Sequence, residues 1–199
     1  LVGSEMCIRD RWRNNAISDS YEPGSVYKVI NLAAGLEEGK LNDNMSFSCS
    51  GSIDVYGRTL SCADHTAHGT QDISKALNNS CNVAFVQIGN ILGKNDILRY
   101  AKAFGFGEKS GVDLPGESLG ILPTNINAIG PVELATMSYG HGLAVTPIQM
   151  ANAICAVVNG GTLYKPKLVL KTVDDFGNVV DTPKSVVRRR VISEETSEH

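Results

Sequence analysis

Between Tyr21 and Gly35 the chain reads YEPGSVYKVINLAAG, and no other stretch constrains it as strongly. Pro23 and Gly24 break the backbone, one by fixing φ and the other by tolerating conformations that other residues avoid. The apolar residues Val26, Val29, Ile30, Leu32 and Ala33 then recur at helical spacing, which predicts a helix with Ser25 at its start. Ser25 and Lys28 are three apart and so share one helical face. An amine is thereby within reach of a hydroxyl that lies in the positive field of a helix N-terminus. Once neutral, that amine can take the serine proton, and a nucleophile beside a base is what acyl transfer requires. Ser-x-x-Lys alone is common in helices, so the decision falls to the rest of the chain.

With 199 residues the chain can form one domain with a real core. Hydrophobic residues at 42% and charged residues at 20% describe an ordinary globular protein. The net charge is −3, and no basic stripe suits a nucleic-acid backbone, so no nucleic-acid partner is expected. Arg188–Arg190 and Glu194–Glu195 are short, opposite runs that read as solvated surface. No apolar run approaches the ~18 residues that span a membrane. The opening LVGSEMCIRDR shows neither a signal-peptide pattern nor any periodicity shared with the residues after it, and it resembles translated adapter sequence. Leu1–Arg11, with Cys7, is therefore set aside as an artefactual leader. At the other end VISEETSEH begins like a helix, with Ser193 as N-cap and Glu194 and Glu195 in the first turn, and carries no stop signal. The chain reads as a fragment.

After the nucleophile helix, Gly35 and Gly39 bring a stop. Met45–Ser50 and Ser52–Thr59 read as a short hairpin with turn chemistry at Tyr56-Gly57, flanked by Cys49 and Cys62. Ala63–Thr70 is loop, and Asp72 caps a helix from about Ile73 to Leu77. Next comes LNNSCNVAFVQIGNILG, in which Val83, Phe85, Val86, Ile88 and Ile91 form the core face of a helix that Ser80 or Asn82 could cap. Leu98–Phe104, Asn125–Ser138 and Thr146–Asn159 read as helices, the last with Thr146 as N-cap and Pro147 at its first position. Lys167–Val173 and Val179–Asp181 read as strands about the turn 174–178, with Val186–Val191 as a further strand.

In this order the motifs resemble those of the penicillin-binding proteins, specifically the class B transpeptidases that cross-link peptidoglycan. YEPGSVYKVI is similar to the family's Ser-x-x-Lys motif, and Ser80-Cys81-Asn82 to its Ser-x-Asn motif. The similarity runs from about Arg13 to the C-terminus, so residues 12–199 read as a partial transpeptidase domain. The resemblance implies the α/β (α+β) fold shared with serine β-lactamases: a helical part beside an antiparallel sheet, much of it missing here. It implies Ser25 as nucleophile on the penultimate D-Ala of a stem peptide, with Lys28 as base. Ser80 would relay the proton toward the leaving group, and Asn82 would orient the substrate backbone. The implied ligands are peptidoglycan stem peptides and β-lactams, and the implied place is the extracytoplasmic face of the bacterial membrane. An N-terminal membrane anchor and a glycosyltransferase partner belong to the same expectation. Serine β-lactamase and β-lactam sensor are the alternative readings.

Two further triplets imitate the family's third motif, Lys-Thr/Ser-Gly, and neither is accepted. Lys109-Ser110-Gly111 sits in a glycine-broken loop, and Lys171-Thr172-Val173 lacks the glycine. The chain is thus expected to stop before that motif and, as written, to be inactive, because strand and second oxyanion donor are absent. Where family members more often read Gly-Gln-Gly, this chain has Gly140-His141-Gly142, and His141 reads as a structural or rim residue.

Cys49, Cys62, His68 and Cys81 follow the series Cys-x12-Cys-x5-His-x12-Cys. Three thiols and an imidazole suit tetrahedral zinc. A disulfide between Cys49 and Cys62 is the rival in an exported domain, with Cys81 merely packed. A zinc-bearing subset of the class B proteins resembles this pattern, with the cysteine inside Ser-x-Asn at a matching position. On ligand chemistry zinc is favoured, as a structural ion. Cys155, alone on an apolar helix, is expected in the core.

Overall fold

The computed structural model describes residues 13–199, so the reading of residues 1–11 as a leader lies outside the described part. The helices are α1 (Asn15–Ser18), α2 (Lys28–Glu37), α3 (Ile73–Asn78), α4 (Asn82–Ala103), α5 (Pro131–Met137), α6 (Pro147–Val158) and α7 (Glu194–Glu198). The strands are β1 (Ser46–Cys49), β2 (Ser52–Val55), β3 (Arg58–Ser61), β4 (Gly69–Asp72), β5 (Thr162–Tyr164), β6 (Thr172–Val173), β7 (Val179–Asp181) and β8 (Val187–Arg190). They form four two-stranded antiparallel ladders, β1–β4, β2–β3, β5–β8 and β6–β7.

The core is built on α4. Phe85, Ile88, Leu92, Ile97 and Tyr100 from its length pack with Tyr27, Ile30 and Ala34 of α2 and the turn before it, Met137 of α5, and Met150 and Ala153 of α6. Each large apolar side chain so buried contributes roughly 1.5–3 kcal/mol relative to exposure. The two helical stretches expected before Gly93 and over Leu98–Phe104 both form within α4, and Gly93, at φ +77° and ψ 161°, is non-helical and breaks the run between them. Gly89 lets α4 approach Ser138, since a β carbon there would lie 2.5 Å from the serine Cβ. Ile91 is corrected: at 38% exposure it faces outward, because the helix turns it away from α2 and α5.

Three further expectations are corrected. Met45–Ser50 does not pair with the segment after it; β1 pairs with β4, and the hairpin across Tyr56-Gly57 is β2–β3. Cys49 lies opposite Gly69 in the β1–β4 ladder, so the chain leaves and returns at one point and folds β2–β3 into the excursion. Asn125–Ser138 is not one helix, for Pro131 starts α5 anew after a single turn at Ile126–Ala128. Cys155 is exposed on α6, whose core face is carried by Met150, Ala153 and Ala156. Thr146 does cap α6, in a capping box with Gln149, and Asp72 and Ser193 cap α3 and α7.

Candidate active site

Ser25 lies in a single 3₁₀ turn, Gly24–Tyr27, and Lys28 opens α2 directly behind it. From the other side of the chain, Ser80 and Asn82 arrive at the N-terminus of α4. Cys81, not Ser80 or Asn82, caps that helix: its sulfur accepts the Ala84 N–H at 3.4 Å. Ser80 is thereby held at φ +48°, a conformation uncommon for any residue but glycine and one that collects at functional sites.

These elements converge on the Lys28 side chain, which is fully buried. Nζ lies 2.6 Å from the Ser80 carbonyl, 2.7 Å from Asn82 Oδ1, 3.0 Å from Ser80 Oγ and 3.2 Å from Ser25 Oγ. The Ser80 hydroxyl donates to Ser25 Oγ at 2.8 Å. Asn82 is held in turn by its Nδ2, which donates to the Ser61 carbonyl at 2.9 Å. A neutral amine has two N–H bonds and one lone pair. The two shortest contacts are to oxygens that can only accept, so they take both N–H bonds. The lone pair is left facing the two serine hydroxyls, where a general base belongs.

Burial favours that neutral form. It pulls the Lys28 pKa down to about 8, against the opposing pull of Cys81 and Cys62. Because the neutral amine is the active base, acylation of Ser25 by a fluorescent penicillin in the natural gene product should rise about tenfold per pH unit below 8 and level off above it. Stopped-time labelling between pH 6 and 9.5 checks this, and a flat profile refutes it.

The turn that carries Ser25 is clamped by residues 140–145. Gly24 N donates to the Gly140 carbonyl at 2.9 Å, and Tyr21 exchanges two backbone bonds with Val145. Glu22 accepts from the Gly142 N–H at 2.8 Å and pairs with His141 Nδ1 at 2.9 Å. His141 is thus a half-exposed rim residue in contact with the nucleophile turn and not with the serine itself. A β carbon on Gly140 would lie 2.1 Å from the Gly24 carbonyl oxygen. Gly140→Ala should therefore displace the nucleophile turn, lower stability by roughly 1–3 kcal/mol and slow acylation. Thermal melting and penicillin labelling of that variant test it, and unchanged values of both would refute the clamp.

Cys49, Cys62, His68 and Cys81 come together behind the second motif, their ligand atoms all within 4.8 Å of one another. Cys62 Sγ lies 3.6 Å from both Cys49 Sγ and Cys81 Sγ, and Cys49 Sγ lies 3.5 Å from His68 Nδ1. These separations exceed an S–S bond of ~2.05 Å and approach the ~3.8 Å edge of a tetrahedron with metal–sulfur bonds of ~2.3 Å. Asp64 and His65, both at positive φ, turn the loop sharply so that His68 reaches the thiols. For Cys49, burial raises the pKa, but donors at His68 and Gly51 outweigh it and bring the thiol down to about 6. Burial pushes Cys81 up to about 12. Packed thiols of this kind cannot all ionise without a cation among them, and a soft divalent metal fits the donor set.

Neither rejected triplet approaches the site. Ser110 and Gly111 donate backbone N–H groups to Glu117 within an irregular loop, and Lys171 precedes the exposed β6–β7 ladder. Sequence reasoning missed Glu22, the Ser61 carbonyl, and Phe85, whose ring centroid lies 5.4 Å from Lys28 Nζ. Only Glu22, three residues before Ser25, had a positional cue.

A buried lysine shared by two serines and an asparagine at the junction of two helices defines a serine–lysine site on a helical scaffold. Known proteins carry the same fold. The model of the penicillin-binding protein transpeptidase domain matches residues 3–199, and the chain belongs to that family. It is 44% identical over 187 residues to Stage V sporulation protein D of Bacillus subtilis, covering 93% of this chain and 29% of that protein. Among solved structures it resembles penicillin-binding protein 3 of Mycobacterium tuberculosis in complex with aztreonam, with a TM-score of 0.79, 30% identity, and coverage of 93% of this chain and 41% of that one. A peptidoglycan synthetase from Bifidobacterium adolescentis matches with a TM-score of 0.83 and 27% identity, over 98% of this chain and 35% of that one. The chain thus spans between 29% and 41% of the length of these relatives.

Proposed function

We propose that this chain is part of a peptidoglycan D,D-transpeptidase that works through a serine acyl-enzyme. The observation that carries the reading is the buried Lys28 amine, held between Ser25, Ser80 and Asn82. Lys28 takes the Ser25 proton as Oγ attacks the carbonyl of the penultimate D-Ala. The Ser25 N–H, one of the first in its helix and without an intrahelical acceptor, is an oxyanion donor. When the tetrahedral adduct collapses, the departing D-Ala amine takes a proton delivered from Lys28 through Ser80 Oγ. An amine of a second stem peptide then attacks the acyl carbon, gives its proton to Lys28, and Ser25 leaves as the hydroxyl. A β-lactam enters by the same first step, but its leaving nitrogen stays tethered and blocks the second. Among the described residues Ser25 Oγ has Lys28 and Ser80 as its hydrogen-bond partners and no carboxylate, which supports acyl transfer to an amine over a β-lactamase's activated water. Stem peptides outside the cytoplasmic membrane are the fitting substrates. A membrane anchor and a glycosyltransferase partner would belong to the whole protein. Among the described residues no helix is long and apolar enough to cross a membrane. The test is covalent labelling of the natural gene product with a fluorescent penicillin, with the adduct mapped by peptide mass to Ser25; no adduct, or an adduct at another serine, refutes it.

The same reading includes one zinc ion held by Cys49, Cys62, His68 and Cys81. Its support is the three thiols and imidazole gathered within 4.8 Å. Four protein ligands leave no open position, so the ion would brace the fold and activate no water. The bracing is local to catalysis because Cys81 stands between Ser80 and Asn82.

A further inference from the structure

We infer that Glu22 is a positioning residue for acylation: its carboxylate, by holding both His141 and the Gly142 N–H, sets where Ser25 Oγ stands relative to Lys28. That role deepens the acyl-transfer reading and rests on it. Ser25 sits in a single 3₁₀ turn that no side chain caps among the described residues, and Pro23 before it has no N–H to give. So short a turn, with no cap of its own, takes its position from whatever holds the chain just ahead of it. Five hydrogen bonds join residues 21–24 to the segment 140–145. Two run between Tyr21 and Val145, one from Gly24 N to the Gly140 carbonyl, and two end on the Glu22 carboxylate. Only the pair at Glu22 comes from a side chain of the turn's entry.

The segment that Glu22 grips is itself tied to the helix that carries the base. Asn31, one turn after Lys28 on α2 and fully buried, donates from Nδ2 to the Ser138 carbonyl at 2.9 Å. From Ser138 the chain turns tightly: Tyr139 and His141 donate backbone N–H groups to the Thr136 carbonyl, and Gly140 donates to that of Met137. The His141 ring meets the Tyr139 ring edge-on, with 5.4 Å between centroids. A closed circuit results. It runs from Lys28 along α2 to Asn31, across to residues 138–142, through Glu22 to the nucleophile turn, and back to Lys28 at 3.2 Å from Ser25 Oγ. The two donors hold the Glu22 carboxyl below the usual carboxylate range, the Gly142 N–H contributing most, so the link is ionised at the pH where Lys28 titrates. Glu22 makes no hydrogen bond to Ser25 or Lys28 among the described residues, so it moves no proton and acts through the turn. A misplacement of about 1 Å between reacting groups can cost about 100-fold in rate, which is the scale on which such a link acts.

The test follows acylation of the natural gene product by a fluorescent penicillin, separating the rate at saturating penicillin from the affinity of the noncovalent complex that precedes it. Glu22→Ala should lower the saturating rate by about 10- to 100-fold and leave the noncovalent affinity within about threefold of the parent. Glu22→Gln keeps an oxygen for the Gly142 N–H and turns an amide N–H toward the ring, whose neutral form accepts it at Nδ1, so it should recover most of the lost rate. His141→Ala alone should slow acylation less than Glu22→Ala does, and adding it to Glu22→Ala should slow acylation no further. In Glu22→Ala the rise through pH 8 should keep its midpoint, because the base itself is untouched. A parent rate in Glu22→Ala, a Glu22→Gln protein as slow as Glu22→Ala, or a displaced midpoint would overturn the positioning role alone. A parent that forms no Ser25 adduct would remove the acyl-transfer reading and this role with it.

Discussion

Ser25→Ala abolishes covalent β-lactam labelling of the natural gene product, and Lys28→Met slows labelling by about 100- to 10,000-fold. The two losses differ in kind. Alanine at 25 removes the atom that forms the ester, so no adduct can accumulate at any pH. Methionine at 28 keeps the side-chain volume in a fully buried position but removes the base. It also removes the contacts that hold Ser80 and Asn82 around Ser25. Residual labelling of Lys28→Met should lose the rise through pH 8, because the group that titrates there is gone. Both variants should show the far-ultraviolet circular dichroism of the parent. A Lys28→Met protein that labels at the parent's rate would remove the lysine from the mechanism.

The second large effect is loss of the metal. Protein purified under reducing conditions should contain one zinc per chain, and Cys81→Ser and His68→Ala should each lose most of it. Thermal stability and penicillin acylation should fall together, acylation by about 10- to 100-fold. The coupling comes from position: Cys81 caps α4 through its sulfur and sets the backbone of the serine and asparagine on either side of it. Fixing the sulfur fixes the strained Ser80 backbone, and with it the carbonyl that accepts from Lys28. A disulfide between Cys49 and Cys62 makes the opposite forecast, since it leaves Cys81 and His68 uninvolved. Metal analysis with thiol counting separates the two. Absence of zinc from the parent, or full zinc in both variants, would sink the metal.

The sequence carried what depends on neighbours within a turn or two. Proline-glycine before a 3.6-residue apolar repeat set Ser25 and Lys28 on one face, and their contact is local. The Tyr56-Gly57 turn, the Asp72 and Ser193 caps and the Thr146-Pro147 start were legible for the same reason: each is a choice of backbone angle or a single short hydrogen bond. The four metal-ligand candidates were legible by chemistry, as residue types that favour one ion. Even so, nothing in their spacing said that β1 would pair with β4 and bring Cys49 back to His68.

Tertiary structure decided the rest. That Ser80 and Asn82 meet Lys28 across more than fifty residues depends on α2 and α4 packing side by side, which is a matter of complementary surfaces and not of local propensity. So does the burial that brings the lysine toward neutrality, since desolvation comes from the whole surrounding core. Ile91 and Cys155 were misplaced because an apolar residue type fits either face of a helix, and only the packed neighbours say which face is covered. The cap on α4 belongs to Cys81 because the chain arrives there with Ser80 in a left-handed turn. A backbone angle of that kind is held by distant contacts, and the residue's own preference argues against it.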